Sequence, residues 1–359
     1  MAQHAALYWG RIWEARGQAP SPVEIREYLA GYLRRVPAEA LPSFPNHSHR
    51  VISSILDMSW GELVEQVIGS SNDSSPGPDG VPFAAYRVLK DICAPFILDM
   101  IIGAANGQPP PDRFNHGRLF LIPKDESYKV LSTRPIVVNN ADNRLFAKVM
   151  TAVMTPGAPS VVHLSQKGFI QGRVGSDNVT GLTDLFYSHL EARQQVHILQ
   201  IDTRKAFDSI DHEYILTVLD VIGFPEWLIR VVLFLLTNVF AIPVVAAHTS
   251  VQIPIHRGVK QGCPLSPLLF VIAYDPLIWA LHDLPISTGP PHTFAFADDL
   301  AIGSTSLSTI FLSMHVIDTF SWHSGLGVNV DKSRITSSRP LSRPEKRSWL
   351  SRPRRGRGW

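Results

Sequence analysis

Cysteine is nearly absent from this 359-residue chain: there are two, Cys93 and Cys263. Two thiols complete neither a disulfide scaffold of the small secreted kind nor a four-cysteine zinc site, so no disulfide partner is expected and a reducing compartment follows. Charge is sparse as well, at 18% of residues, and 33 Lys+Arg nearly cancel 31 Asp+Glu to leave a net +2. With 45% hydrophobic residues, however, the composition excludes global disorder. Long apolar runs are missing too. The most apolar region, Val231 to Ala247, is 17 uncharged residues interrupted by Asn238 and Pro243, short of the ~20 that a spanning helix needs. It reads as a buried helix followed by a strand. The opening MAQHAALYWGRIWEARG has no basic start, apolar run and small-residue cleavage site. No membrane span or export signal is therefore expected, and the location implied is intracellular. Internal repeats and low-complexity tracts are absent as well.

What is present begins with a charge asymmetry. Residues 334–359 hold eight Arg and one Lys against a single Glu, while the other 333 residues carry 24 basic and 30 acidic side chains. The body is acidic and the tail strongly basic. The tail also has Pro340, Pro344 and Pro353 and no apolar periodicity, which predicts a disordered segment over 334–359.

At roughly 100–200 residues per domain, two or three subdomains are expected. The first 50 residues are helical in flavour but broken by prolines, and Trp60 to Val67 patterns as a short amphipathic helix. SSNDSSPGPDG is a loop by its Pro-Gly and Asp-Gly pairs, and Pro82 to Gly103 is an apolar helical stretch. GRLFLIPK and RPIVVNN pattern as a hairpin. DNVTGLTDLFYSHLEA is a helix, VHILQID a buried strand ending at a carboxylate, and HEYILTVLDVIG a helix stopped by Gly223. VQIPIHRG reads as a strand, SPLLFVIAYDPLIWAL as a buried helix, HTFAFADDLAIGS as a strand–turn–strand, and SLSTIFLSMHVIDTFSWHSG as a final helix. Strands and helices mix without strict alternation, which suggests an α+β fold with helices backing one face of an antiparallel sheet.

Two acidic sites stand out. Asp202 ends a strand that should be buried, and Asp298 and Asp299 sit between two apolar arms of a tight hairpin. Carboxylates gathered beside a core repel one another unless a cation neutralises them. Hard oxygen ligands from two strand ends suit Mg²⁺. Two such ions about 3.5–4 Å apart can activate a 3′-hydroxyl and stabilise departing pyrophosphate. A lone strand-end Asp more often caps a helix or forms a turn, so ADD by itself is a weak signal.

Its weight comes from an ordered series of motifs. SSPGPDGVP at 74–82 is followed by LIPK at 121–124, RPIVVNN at 134–140 and SQKGFIQGR at 165–173. Then come IDTRKAFDSIDH at 201–212, RGVKQGCPLSPLLF at 257–270, FADDL at 296–300 and SGLGVNVDKS at 324–333. In this the chain resembles the reverse transcriptase domain of LINE-type (non-LTR) retrotransposons. The resemblance runs from about Trp60 to Lys332 and implies a right-hand polymerase fold. Fingers would occupy 60–195 and palm 196–333, with some interleaving, after an N-terminal helical extension over 1–59.

The same resemblance implies the site. Asp202 and Asp298 match the metal-binding acids, with Asp299 beside them, for two Mg²⁺ ions that Mn²⁺ can replace. Phe207 matches the bulky residue beneath the sugar that excludes a 2′-hydroxyl and so selects dNTPs. Lys124 and Arg134 match positions that embrace the triphosphate, where an ammonium and a planar fork suit phosphate oxygens. Gln261 and Gly262 match the lining of the nascent base pair. Lys332, with Asn329, matches a late palm motif in which the lysine protonates pyrophosphate. Lys167, Gly168, Phe169 and Arg173 match the template side of the fingers. The implied partners are an RNA template, a DNA primer and dNTPs, in the nucleus if the chain acts as a retrotransposon enzyme.

An RNA-dependent RNA polymerase would carry a second Asp five residues after the first and GDD at the hairpin; here those positions hold Phe207 and ADD. Only 27 residues follow Lys332, so a missing or truncated thumb is expected, with reduced activity. A non-catalytic nucleic-acid-binding remnant is the alternative that the sequence leaves open.

Overall fold

The structure, a computed structural model, describes residues 2–33, 60–127, 129–245, 248–249, 251–284 and 291–340. Of the expected N-terminal extension it describes two helices, α1 (Ala2–Trp13) and α2 (Pro22–Leu33); residues 34–59 lie outside the described ones. Ala5, Trp9 and Trp13 recur every four residues along α1 and are all buried. The two tryptophans meet Leu119, Val137, Ile253 and Ile255 in a small core of their own. Far from trailing as an extension, α1 is built into the body.

That small core is roofed by the first sheet. Strands β1 (His116–Pro123) and β2 (Thr133–Asn139) form the expected antiparallel hairpin, in register from Gly117 opposite Asn139 to Pro123 opposite Thr133. Two short strands follow in the chain, β3 (His197–Ile201) and β4 (Thr203–Arg204). Next comes β5 (Phe240–Val245), which joins β1 in parallel, and β6 (His248–Thr249) and β7 (Ile253–Pro254) both pair with β5. Parallel neighbours require a long crossover, and here everything from residue 124 to 239 intervenes. Residues 240–254, expected within the palm stretch, therefore share a sheet with the β1–β2 hairpin. VQIPIHRG supplies only the two residues of β7.

The second sheet is antiparallel in the order β11–β3–β9–β8, with β8 (His292–Phe296), β9 (Asp299–Ser304) and β11 (Arg334–Ser337). A separate pair, β10 (Gly327–Val328) with β4, sits beside it. Strand β11 corrects the expectation of disorder from residue 334: Arg334 to Ser337 pair with Gln200 to His197. The Ser337 hydroxyl lies 2.7 Å from His197 Nδ1, and the Val196 N–H donates to Ser338 Oγ at 3.1 Å. The strand satisfies the outer edge of β3, and averaging charge over the whole tail hid the short ITSS run. The rest of that tail, 341–359, where any thumb would begin, lies outside the described residues.

Helices fill the rest of the core. They are α3 (Trp60–Gly69), α4 (Phe83–Val88), α5 (Lys90–Ala105), α6 (Ala141–Met154), α7 (Ala158–Val161) and α8 (Ser176–Glu191). A single turn, α9 (Ala206–Ser209), precedes α10 (His212–Ile222), α11 (Glu226–Leu236), α12 (Ser266–His282) and α13 (Leu307–Ser324). Helix α10 stops at Gly223, whose φ of 92° is the left-handed cap that glycine supplies readily. Helix α12 is apolar on nearly every side and is buried accordingly. Among the described residues no helix is long and apolar enough to cross a membrane, and both cysteines are free thiols.

Candidate active site

The two sheets enclose a cavity of about 860 Å³, and six of the eight motifs contribute to its lining, all but those at 74–82 and 165–173. Its palm wall begins with Asp202, directly after β3. The Asn329 side-chain amide donates to Asp202 Oδ2 at 2.7 Å, and the Asn329 backbone N–H donates to the Asp202 carbonyl at 2.8 Å. The Asp202 N–H donates to Ser333 Oγ at 3.1 Å, and that hydroxyl donates onward to the Asn329 carbonyl at 2.9 Å. The late palm motif thus acts as a bracket on the first acid, with Asn329 rather than Lys332 at its centre. Lys332 is exposed and lines the cavity beside it.

Asp298 lies in the two-residue turn between β8 and β9, where Phe296 pairs with Asp299. The other turn residue, Ala297, has a φ of 55°, a left-handed conformation that two-residue hairpins ordinarily give to glycine, asparagine or aspartate and that costs another residue about 1–3 kcal/mol. What holds it there is Gln166, which is fully buried. Its Oε1 accepts the Ala297 N–H at 2.8 Å and the Gly168 N–H at 2.9 Å, and its Nε2 donates to the Ala297 carbonyl at 3.1 Å. Residues 165–167 run alongside β8, with the Lys167 N–H bonded to the Ala295 carbonyl at 2.8 Å and the Ala295 N–H to the Ser165 carbonyl at 3.0 Å.

That geometry revises the role expected for the SQKGF segment. Gly168 is buried against the turn, and a Cβ there would come within 2.4 Å of the Ala297 nitrogen. The Arg173 guanidinium donates to the carbonyls of Pro159, Val162, His163 and Gln166 at 2.6–2.9 Å. A fork spent on four carbonyls shapes the loop. Lys167 pairs with Asp177 at 3.4 Å. Phe169 alone of the four is largely exposed, its ring 6.3 Å from those of Phe207 and Phe296.

Asp202 and Asp298 both line the cavity, while Asp299 is exposed at the start of β9 and lies outside that lining. Burial raises Asp298 above the ordinary carboxylate range, and the charges of Asp299 and Asp202 raise it further, against its own backbone N–H and Lys124. Asp299 is raised by burial and then by Asp202. Among the described residues no three His, Cys, Asp or Glu side chains lie close enough to hold a metal ion between them. A small hard divalent cation needs only one or two carboxylates, the remainder coming from water and substrate phosphate. Two mutually repelling acids on one cavity wall fit such an ion, and the reverse transcriptase family works with divalent metals.

The cavity floor is Phe207, stacked on Phe270 with ring centroids 4.5 Å apart and planes 14° from parallel. Beside it RGVKQG runs against α9: the Gly258 N–H donates to the Ile210 carbonyl and the Val259 N–H to the Phe207 carbonyl, each at 2.6 Å. Gly262, at φ 118°, leaves no room for a Cβ, which would meet the Val137 carbonyl at 2.7 Å. The Gln261 carbonyl accepts the Val137 N–H at 2.8 Å. The QG pair therefore ties palm to fingers as well as lining the cavity. On the fingers wall, Lys124 and Arg134 are exposed at the loop end of the hairpin and line the same space.

Beyond Gln166, sequence reasoning missed Asp208, six residues after Asp202. It is buried, accepts from Gln261 Nε2 at 3.0 Å, and is faced by the indole N–H of Trp13 from α1. Burial pushes its carboxyl up to about 7, against the pull of Lys205, Trp13 and Gln261. An Asp in a helical KAFDS run looks like surface polarity from sequence; only the docking of α1 makes it interior.

With that geometry in place, comparison with known proteins is informative. Residues 122–351 match the family described as reverse transcriptase (RNA-dependent DNA polymerase). The chain is similar to the Pol polyprotein of the type-2 retrotransposable element R2DM of Drosophila melanogaster, at 28% identity over 334 residues, 88% of this chain and 30% of that protein. It is likewise 28% identical over 280 residues to the Pol polyprotein of the type-1 retrotransposable element R2 of Popillia japonica, covering 76% and 38% of the two. An uncharacterized 149 kDa protein of transposon TX1 from Xenopus laevis is 24% identical over 222 residues, 62% of this chain and 17% of that protein. The chain thus spans well under half the length of these relatives. Among solved structures, telomerase of Candida tropicalis in complex with a TWJ fragment of telomeric RNA superposes with a TM-score of 0.50 at 14% identity, over 70% of this chain and 45% of that one, which supports the right-hand polymerase fold. A family match over most of the chain, on motifs that the fold gathers round one cavity, makes this protein a member of the reverse transcriptase family, of the type carried by non-LTR retrotransposable elements.

Proposed function

We propose that this chain carries the nucleotidyl-transfer site of an RNA-directed DNA polymerase, extending a DNA primer with dNTPs on an RNA template. The observation that carries the reading is a single cavity with Asp202 and Asp298 on one wall, Lys124 and Arg134 on the other and Phe207 between them. Asp202 and Asp298 would hold two Mg²⁺ ions, or Mn²⁺ in their place, with Asp299 orienting from outside. Those ions supply activation of the primer 3′-hydroxyl and neutralisation of the leaving pyrophosphate. Asn329 and Ser333 keep the Asp202 carboxylate aimed, and Lys124 and Arg134 bind the triphosphate oxygens. Phe207 fills the space a ribose 2′-hydroxyl would need, with no polar atom to receive it. Gln261 and Gly262 line the base pair, and the Lys332 ammonium protonates the departing pyrophosphate. Phe169 is the template-side contact that stays open to a strand, and Lys167 would reach one by leaving its ion pair with Asp177. Action on chromosomal target DNA would place the protein in the nucleus.

The test is primer extension on an RNA template with Mg²⁺ and dNTPs, beside a parallel measurement of RNA binding. Asp298→Ala should lower extension by at least about a thousandfold while leaving RNA affinity within about threefold, because template phosphate contacts lie elsewhere. RNA binding by both proteins with extension by neither would identify a nucleic-acid-binding remnant instead.

A further inference from the structure

Lys205 belongs to none of the roles assigned so far, yet it lines the same cavity as Lys124 and Arg134. It lies three residues after Asp202 and two before Phe207, at a φ of 45°, a left-handed conformation that a lysine adopts at some expense. That conformation turns the side chain to the fingers tip. Its Nζ donates to the Leu131 and Thr133 carbonyls at 3.3 Å each, on the turn that separates Lys124 from Arg134. On its other side the ammonium stands 4.4 Å from the centroid of the Trp9 ring and 5.6 Å from that of Tyr8. Two long bonds to neutral carbonyls and two aromatic faces are a weak setting for a half-buried cation.

The charges around it are unfavourable as well. Burial lowers Lys205 below the ordinary lysine range, Lys124 lowers it further, Asp208 pulls it back and Lys332 lowers it again. The acid that pulls it back, Asp208, already receives Gln261 and faces Trp13. Four lysines, Lys124, Lys205, Lys260 and Lys332, thus line one cavity, and Lys205 shares it with Asp202, Asp208 and Asp298 without an ion pair to any of the three. What this arrangement suits is an anion carrying several charges, with oxygens to meet more than one lysine.

We propose that Lys205 is a further ligand of the polyphosphate chain, binding the triphosphate of the incoming nucleotide together with Lys124 and holding the pyrophosphate it becomes. The proposal rests on the reading of this cavity as a nucleotide site. In the free protein the two carbonyls and the Trp9 face keep the ammonium waiting at the wall. When a triphosphate enters, Lys205 exchanges the carbonyls for phosphate oxygens, and Trp9 and Tyr8 cover the side that faces away from them. Helix α1 thereby serves the chemistry, because two of its aromatic residues decide where this cation rests.

Lys205→Gln retains a donor for the two carbonyls and removes the charge, and Lys205→Arg retains both. With thermal melts confirming folded proteins, Lys205→Gln should raise the dNTP KM by about 10- to 100-fold with kcat changed far less, and Lys205→Arg should restore most of it. A second readout does not need catalysis: titration with inorganic tripolyphosphate, followed by tryptophan fluorescence. Wild type should bind saturably, Lys205→Gln about tenfold or more weakly, and Trp9→Phe should bind but lose most of the signal. If Lys205→Gln shows unchanged dNTP KM and unchanged tripolyphosphate affinity, Lys205 is a tie between palm and fingers and the proposal is overturned. If wild type extends no primer yet binds tripolyphosphate in a Lys205-dependent way, the polymerase reading fails while the polyphosphate site stands. Absence of tripolyphosphate binding by wild type overturns the site itself.

Discussion

The two walls of the cavity are built on opposite plans. On the palm side each of the two cavity acids sits on backbone fixed from outside its own strand: Asn329 and Ser333 hold Asp202, and Gln166 grips the residue before Asp298. On the fingers side Lys124 and Arg134 are long, exposed side chains at the loop end of a hairpin. The difference follows from what each wall must meet. Metal coordination and in-line attack tolerate little displacement. A polyphosphate, by contrast, arrives with one substrate and leaves as a product, so its partners benefit from freedom to move. The palm wall should therefore govern turnover and the fingers wall substrate affinity.

Four measurements would sharpen or break that division. The largest effect is expected at Gln166. Gln166→Ala strands a buried N–H and carbonyl of a strained turn, at about 1–3 kcal/mol each, and kcat should fall about a hundredfold while dNTP KM moves little. An unchanged kcat would show that the turn keeps its shape unaided. Phe207→Ala should next reduce the preference for dNTPs over NTPs by about 10- to 100-fold in kcat/KM; a preserved preference would move sugar selection to another residue. Arg134→Ala should raise dNTP KM by about tenfold with kcat within a few-fold. The reverse pattern, a fallen kcat at constant KM, would erase the contrast between the walls.

The fourth measurement concerns stability. Asp275, buried in α12, accepts the His163 N–H at 2.7 Å and the Tyr32 hydroxyl at 2.9 Å, and so anchors the start of the segment that carries Gln166. Burial pushes its carboxyl up to about 7 despite those donors. Because the folded value lies above the unfolded value of about 3.9, the fold holds this proton more tightly than the unfolded chain does. Its contribution is full below pH 4 and is lost as pH rises to 7. In urea melts, Asp275→Asn should shift the stability difference between pH 5 and pH 8 by about 2–3 kcal/mol in favour of pH 8 relative to wild type. An equal slope in both proteins would assign the pH dependence to other groups.

Most elements were legible in the sequence because their signals are local. The apolar spacing in HEYILTVLDVIG and its closing glycine, the hairpin arms of GRLFLIPK and RPIVVNN, and the acids at a strand end and a turn all lie within a few residues of each other. What was hidden depends on partners far along the chain. Gln166 looks like one polar residue in a loop until Ala297, 131 residues away, needs both of its amide atoms. Strand β11 was masked by the arginines that follow it, and β5 joins the β1–β2 hairpin through a parallel pairing that no local pattern announces. Lys167 and Arg173 carried the right charge for phosphate, but whether a cation faces solvent or its own loop is settled by packing.

Helix α1 brings a further consequence, concerning the order in which the molecule is made. Trp13 faces Asp208, the Arg16 guanidinium just beyond α1 pairs with Asp211, and Arg16 also donates to the Trp322 carbonyl at 2.7 Å, 306 residues away. Helix α1 and Arg16 thus find their seat only after α13 has been made. Contacts of such separation form slowly, and until they do two tryptophans remain exposed. The nascent chain should pass through a state in which both sheets exist while the nucleotide cavity lacks a wall, and it is this late docking, more than the formation of either sheet, that sets the moment of competence.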